Sequence, residues 1–226
     1  MYWENLVFDA SNPHEQGIFW EELFSAETLS DNSGGYETRL QFSDNSFLDL
    51  CFPTVSDSGV SAQRLFPVVI ESNADDYATS AHYLAPRRKL QDRAGRDYLV
   101  VEPGDGSARF KLLAVEVWSA DPVRDIKFWS ALTGWKQSAE SPTVLQHPNK
   151  VGPLLGIVPQ QQDKADSKSS IHLDLRLEPD DDVEQIVERV EQLGGSEFHH
   201  EWGEIPWRVF LDPSGNEFCI LPAPTN

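Results

Sequence analysis

The chain repeats itself, and this limits its fold more than any other feature. NPHEQGIFWEELF from Asn12 aligns with DPVRDIKFWSALTGW from Asp121. Asn12-Pro13 falls on Asp121-Pro122, Phe19-Trp20 on Phe128-Trp129 and Leu23 on Leu132, all at one spacing. LDLCFP (Leu48–Pro53) aligns with LLGIVP (Leu154–Pro159), and FPVVIESNADDY from Phe66 with HLDLRLEPDDDV from His172, at a second, nearly equal spacing. Last, VVEPGDGSARFKLL (Val100–Leu113) falls on VFLDPSGNEFCIL (Val209–Leu221), with one extra residue in the turn. Similarity at a long, nearly fixed period implies two copies of one structural unit. The 226 residues suffice for two small domains. The expected division is residues 1–112 and 113–226.

Each copy reads as strand, helix, strands, then strand, helix, strands. In the second copy, Leu113–Trp118 is an apolar strand. Asp121 is placed to cap a helix with Pro122 at its first position, because Pro lacks the N–H that the first turn leaves unpaired. Val123, Ile126, Trp129 and Leu132 recur at helical spacing, and Gly134 ends the helix. A short strand at Thr143–Gln146 and a longer one at Val151–Val158 follow. Gln160–Ser170 is a polar connector. Ile171–Leu177 alternates, so His172, Asp174 and Arg176 share one strand face. Asp180–Asp182 precede a helix striped by Val183, Ile186, Val187, Val190 and Leu193, which Gly194-Gly195 stops. Ser196–Glu201, Trp207–Leu211 and Glu217–Leu221 are strands, the last two joined by the tight turn Asp212-Pro213-Ser214-Gly215. The fold class is α+β, with two βαβββ units in each copy and four in the chain. Each unit covers one sheet face with its helix and leaves the other face to line a concave trough.

The formal net charge of -19 repels phosphate backbones and anionic lipid, so neither nucleic acid nor a membrane surface is an expected partner. MYWENLVFDA has no basic stretch followed by an apolar run, and no span is long enough to cross a bilayer; a cytoplasmic location is expected. The two cysteines, Cys51 and Cys219, lie in apolar strand-like runs and read as buried free thiols, a single bridge between them being the alternative. No Walker loop, G-x-G-x-x-G, G-x-S-x-G or CxxC pair is present, which argues against a nucleotide-dependent enzyme, a serine hydrolase or a zinc ribbon.

The DP, FW and LTGW sequence, the polar connector, IHLDLRL, the helix ending in LGG and WRVFLDPSGNEFCIL together resemble the glyoxalase-like domains of the glyoxalase, bleomycin-resistance and dioxygenase (vicinal oxygen chelate) superfamily. The resemblance covers most of residues 113–226. The first copy shares the layout, with EPGDGSARF for DPSGNEF and Phe66 for His172. The resemblance implies paired βαβββ units around a trough. In metal-dependent members it further implies His, Gln or Glu ligands on the first and last strands of each unit, holding an ion that chelates adjacent substrate oxygens. Those positions fall here at Ala114, the segment Leu154–Val158, His172 and Cys219. In the first copy they fall at Asn5, the segment Leu48–Phe52 with Asp49, Phe66 and Lys111. A lone imidazole and a thiol do not make the usual hard-ion chelate; they suit zinc better than magnesium or manganese.

His172 and Asp174 form the candidate acid–base pair, Asp174 orienting the imidazole. The ligand-binding candidates are Trp118, His172, Trp202, Trp207 and Cys219, the tryptophans offering flat apolar walls to a planar molecule. Trp20 and Trp129 belong to the helix stripes and to packing. The adjacent His199 and His200 face opposite sides of a strand and cannot easily share an ion. No metal site is expected, His172 and Cys219 being the weak candidates. The expected function is binding of a small organic molecule in the trough without the usual metal or any other cofactor. The first alternative is a lyase, isomerase or dioxygenase using zinc, nickel or manganese, and the second a non-catalytic scaffold. Four units in one chain are compatible with a monomer or a homodimer.

Overall fold

The computed structural model describes residues 1–56, 63–73, 78–102, 106, 109–199 and 203–224. The chain begins with β1 (Tyr2–Phe8), α1 (Pro13–Phe24), β2 (Glu27–Asn32), β3 (Gly35–Ser43) and β4 (Ser46–Pro53). The second unit follows with β5 (Leu65–Glu71), the one-turn helix α2 (Ser80–Tyr83), β6 (Arg87–Gln91) and β7 (Asp97–Val101). The third comprises β8 (Phe110–Ser119), α3 (Pro122–Thr133), β9 (Lys136–Gln137), β10 (Val144–Gln146) and β11 (Leu154–Pro159). The fourth comprises β12 (Ile171–Arg176), α4 (Val183–Gln192), β13 (Ser196–Glu197), β14 (Arg208–Leu211) and β15 (Glu217–Leu221).

The helix signals act where the sequence puts them. The Asp121 carboxylate accepts the N–H groups of Val123 and Arg124 at 3.1 Å, and Gly134 closes α3 at φ 72°. Asp182 caps α4 on Glu184 and Gln185 in the same way. One stripe position departs from the expected pattern. Val123 is 65% exposed, while Asp125 is buried and accepts from the hydroxyls of Ser119 and Ser214. Position 125 faces the sheet and carries a polar junction, which periodicity of apolar residues cannot register.

The strands form two mixed sheets, ordered β13-β14-β15-β12-β1-β4-β3-β2 and β6-β7-β5-β8-β11-β10-β9. Each sheet therefore takes strands from both halves of the chain. β1 runs antiparallel to β12, with Asn5 opposite Asp174 and Val7 opposite His172. β5 runs antiparallel to β8, with Phe66 opposite Glu116 and Val68 opposite Ala114. β8 runs unbroken through the expected boundary at residue 112. Alternation sends Leu6, Phe8, Leu173, Leu175, Phe218 and Ile220 to the helix-covered side, where they join one core with Trp20 and Trp129. The opposite face carries Asn5, Val7, His172, Asp174 and Cys219.

The last repeat match is corrected by the hydrogen bonds. The counterpart of the Asp212 turn is Asp92–Arg96, not the segment after Val101. Asp92 N donates to Arg96 O and Gly95 N to Asp92 O, at 2.9 and 3.0 Å, as Asp212 N does to Asn216 O and Gly215 N to Asp212 O, at 2.9 and 2.8 Å. In both turns the Asp Oδ1 accepts two further backbone N–H groups at 2.9 Å. β7 lies parallel to β5 as β15 lies parallel to β12. Leu99, not Lys111, is thus the counterpart of Cys219. The Pro and Gly of EPGDGSARF imitate the DPSG turn more closely than Asp92-Arg93-Ala94-Gly95 does, and this obscured the match.

Candidate functional site

The concave face of the eight-stranded sheet encloses a cavity of about 950 Å³. The sheet register brings its floor together. Strand alternation points His172 and Asp174 from β12 to one side, and Cys219 of β15 lies directly beside Asp174. From the other direction Asn5 of β1 lies beside Asp174, and Asp49 of β4 beside Asn5. His172, Asp174, Cys219 and Asn5 are all buried. Val209, Leu221, Pro222 and Trp207 form an apolar wall, with Trp207 38% exposed.

Of the residues singled out in the sequence, His172, Asp174, Trp207 and Cys219 line this one cavity. Trp118 does not. It stands on β8 in the other sheet, its ring 4.9 Å from that of Phe66 and 5.7 Å from the Arg64 guanidinium. Trp202 and His200 lie outside the described residues. Arg176, on the strand face of His172 and Asp174, and Cys51 also line the cavity, as do Asp9, Glu37, Lys168 and Glu217, for which the sequence carries no site signal. Alternation along β1 places Asn5 and Val7 on one face, but the pairing of β1 with β12 is needed to give that face to His172.

The floor is polar and incompletely satisfied. Asn5 Nδ2 donates to Asp174 Oδ2 at 3.1 Å. Asp174 Oδ1 approaches His172 Nε2 at 3.5 Å, and among the described residues neither Asp174 Oδ1 nor His172 Nδ1 has a hydrogen-bond partner. The hydrogen bond by which Asp174 would orient the imidazole is not formed; Asn5 holds the carboxylate instead. Burial pushes the Asp174 carboxyl up to about 6, and burial followed by the nearby Lys168 holds His172 neutral, well below the ordinary imidazole range. Burial also pushes the Cys219 and Cys51 thiols up. Both cysteines are free.

The positions at which the resemblance places metal ligands do not fit a hard divalent ion. Both oxygens of Asp49 are held by Arg39 at 2.7 Å, and the Asn5 amide donates to Asp174. Ala114 lies in the other sheet. Two of those positions, His172 and Cys219, come together with Asp174: the donor atoms of the three residues lie within 4.8 Å of one another. A neutral imidazole, a carboxylate and a thiol suit a thiophilic ion such as zinc.

The counterpart face of the seven-stranded sheet is filled. Phe66, Val68, Leu99, Ala114 and Gly156 stand where His172, Asp174, Cys219, Asn5 and Cys51 stand in the first sheet. Tyr83 of α2 packs into this face with Val68, Ala114 and Leu154. Its hydroxyl donates to Glu116 at 2.7 Å, and Arg87 pairs with the same carboxylate.

A model of the glyoxalase-like domain matches residues 114–221. No curated protein matches the sequence. Among solved structures, a point mutant of glyoxalase I from Zea mays superposes with a TM-score of 0.60 at 14% identity, over 98% of this chain and 93% of that one. A candidate dioxygenase from Bacillus subtilis superposes with a TM-score of 0.57 at 12% identity, over 100% of this chain and 86% of that one. Among the described residues no helix is long and apolar enough to cross a membrane.

Proposed function

From the match of residues 114–221 to the glyoxalase-like domain and the fold shared with glyoxalase I, we propose that the trough of the eight-stranded sheet binds a small organic molecule without the hard divalent ion of the vicinal oxygen chelate superfamily. A shared fold does not transfer a reaction, so the reading stands on the site. The observation that carries it is the contrast between the two sheets. One concave face keeps a cavity of about 950 Å³ over a buried polar floor, while its counterpart is packed with the chain's own Tyr83. Ligand sites combine a mostly apolar wall with a few convergent polar groups, at volumes of roughly 300–1,000 Å³. Trp207, Val209 and Leu221 supply the wall, and Asp174 Oδ1 and His172 Nδ1 supply unsatisfied polar atoms on the floor. His172 is held neutral and can exchange a hydrogen bond with the ligand, while Asn5 fixes the Asp174 carboxylate.

The test is a thermal-shift screen of the purified chain against small aromatic and heterocyclic metabolites and antibiotics. Saturable stabilisation that Trp207→Ala weakens is the expected result. Uniform absence of a shift, with Trp207→Ala matching the wild type, would count against the reading.

The convergence of His172, Asp174 and Cys219 favours one second reading, a zinc-type ion held by those three residues. Such an ion would supply Lewis acidity at the trough floor, as a lyase, isomerase or dioxygenase would need. Asn5 would then keep Asp174 oriented, and the wall from Trp207 to Leu221 would shield the floor from water. Stoichiometric metal in the purified protein, lost in His172→Ala and Cys219→Ser, is the result that selects it.

A further inference from the structure

We infer that the ligand of this trough carries a protonated amine, which Glu37 and Asp174 recognise while its apolar body rests on Trp207, Val209 and Leu221. The inference rests on the trough being a small-molecule site and adds the chemical class of the molecule.

The argument is one of charge and partners. Four carboxylates line the trough, those of Asp9, Glu37, Asp174 and Glu217, against two cations, Lys168 and Arg176. Both cations are engaged: Lys168 donates to Asp9 at 2.6 Å, and Arg176 donates to Glu4 at 2.6 Å and to the Pro222 carbonyl at 2.8 Å. Glu217 is held by Lys164 at 2.9 Å and by the Ser169 N–H at 3.2 Å. Glu37 and Asp174 form no ion pair with Lys or Arg among the described residues. Glu37 accepts from the Cys51 thiol at 3.3 Å; the Cys219 thiol lies beside the Asp174 carboxylate, whose Oδ1 has no hydrogen-bond partner among the described residues.

Each ligand class meets this surface differently. An organic anion would face these carboxylates with both lining cations already paired. A neutral molecule could donate to Asp174 Oδ1 but would bring no positive charge to the carboxylates. A protonated amine brings N–H donors and a positive charge together, and hydrogen bonds to charged groups are the stronger kind. A half-exposed indole at the rim adds a face on which a cation or an aromatic ring can rest. The extent of the apolar wall favours an organic cation over a bare metal ion, which would use the floor and leave Trp207 idle.

Three probes sharing one ring and differing in the head group test the inference: 2-phenylethylamine, 2-phenylethanol and phenylacetate, titrated calorimetrically into the metal-free full chain. The amine should bind at least about tenfold more tightly than the alcohol, and phenylacetate should bind most weakly. Glu37→Gln and Asp174→Asn should each lower the affinity for the amine more than that for the alcohol, and so reduce the preference. Glu37 is half-buried at the side of the trough, so its variant carries the test if Asp174→Asn fails to fold. Equal binding of all three, or tighter binding of phenylacetate, overturns the inference and leaves the small-molecule reading standing. Saturation by none of the three overturns both. Cobalt(II) uptake with a thiolate charge-transfer band that Cys219→Ser removes, without preference for the amine, overturns it in favour of the metal ion.

Discussion

The hydroxyl of Tyr83 lies 2.2 Å from where a Cβ on Gly156 would stand. Gly156 of β11 is the counterpart of Cys51 of β4, which lines the open trough. One sheet face thus gives up a side chain to admit the chain's own tyrosine, while the other keeps its side chains and stays open. Gly156→Ala should destabilise the fold by about 1–3 kcal/mol, the usual cost of overpacking, because Glu116 holds the phenol in place. Denaturant unfolding checks it. Tyr83→Ala combined with Gly156→Ala should cost less than the two single changes added together, since the clash is then gone. An additive pair would contradict the packing described.

Trp207 is 38% exposed and belongs to the trough wall. Its replacement by Ala should change the melting temperature little while weakening ligand affinity. Trp129 →Ala, at a fully buried position, should instead cost about 3–5 kcal/mol. A large stability loss at Trp207 would show that it packs the core.

Asp174 sets a dependence of stability on pH. Its carboxyl is raised from 3.8 to about 6, so between those values the folded state binds more protons than the unfolded one. Stability from this group is therefore greatest at low pH and falls by about 3 kcal/mol as pH rises through that window. Asp212 is raised to about 6 by its own burial and titrates in the same window, so the comparison must be with a variant. Relative to wild type, Asp174→Asn should gain stability from pH 4 to pH 7. His172 acts in the opposite sense, since burial lowers it and protonation below the usual imidazole range opposes folding. An unchanged difference between wild type and Asp174→Asn across pH would contradict the buried carboxylate.

Asp212 anchors the last hairpin. Its carboxylate accepts the backbone N–H groups of Ser214 and Asn216, the Asn216 side-chain amide at 2.8 Å and the Trp129 indole at 3.3 Å. Asp212→Ala leaves several buried donors without partners, and removing even one such partner costs about 1–3 kcal/mol. Urea unfolding should show a loss of at least that size. A loss under 1 kcal/mol would mean that the turn holds without the carboxylate.

Much of this fold can be read along the chain because its signals are local. Asp121, Pro122 and Gly134 bound α3, and the alternation of Ile171–Arg176 puts His172 and Asp174 on one face. Cys219 follows from the same alternation on β15. What could not be read is which strands meet. The pairing of β1 with β12 joins residues far apart in sequence, and that pairing brings Asn5 and, through β4 and β3, Glu37 to the side of His172. The filling of the second face was also hidden. α2 is a single turn without helical periodicity, and the tyrosine that closes the face is unremarkable in sequence. Trp118 looked like a trough residue because its strand is the third unit's first; its sheet is the closed one.

The contrast between an open and a closed face is tested most directly by following the indole and imidazole NMR signals of the full chain during titration with an aromatic amine. Shifts at Trp207 and His172, with Trp118 unmoved, are the expected result. Shifts at Trp118 with Trp207 and His172 still, or no shift at any of the three, would contradict it.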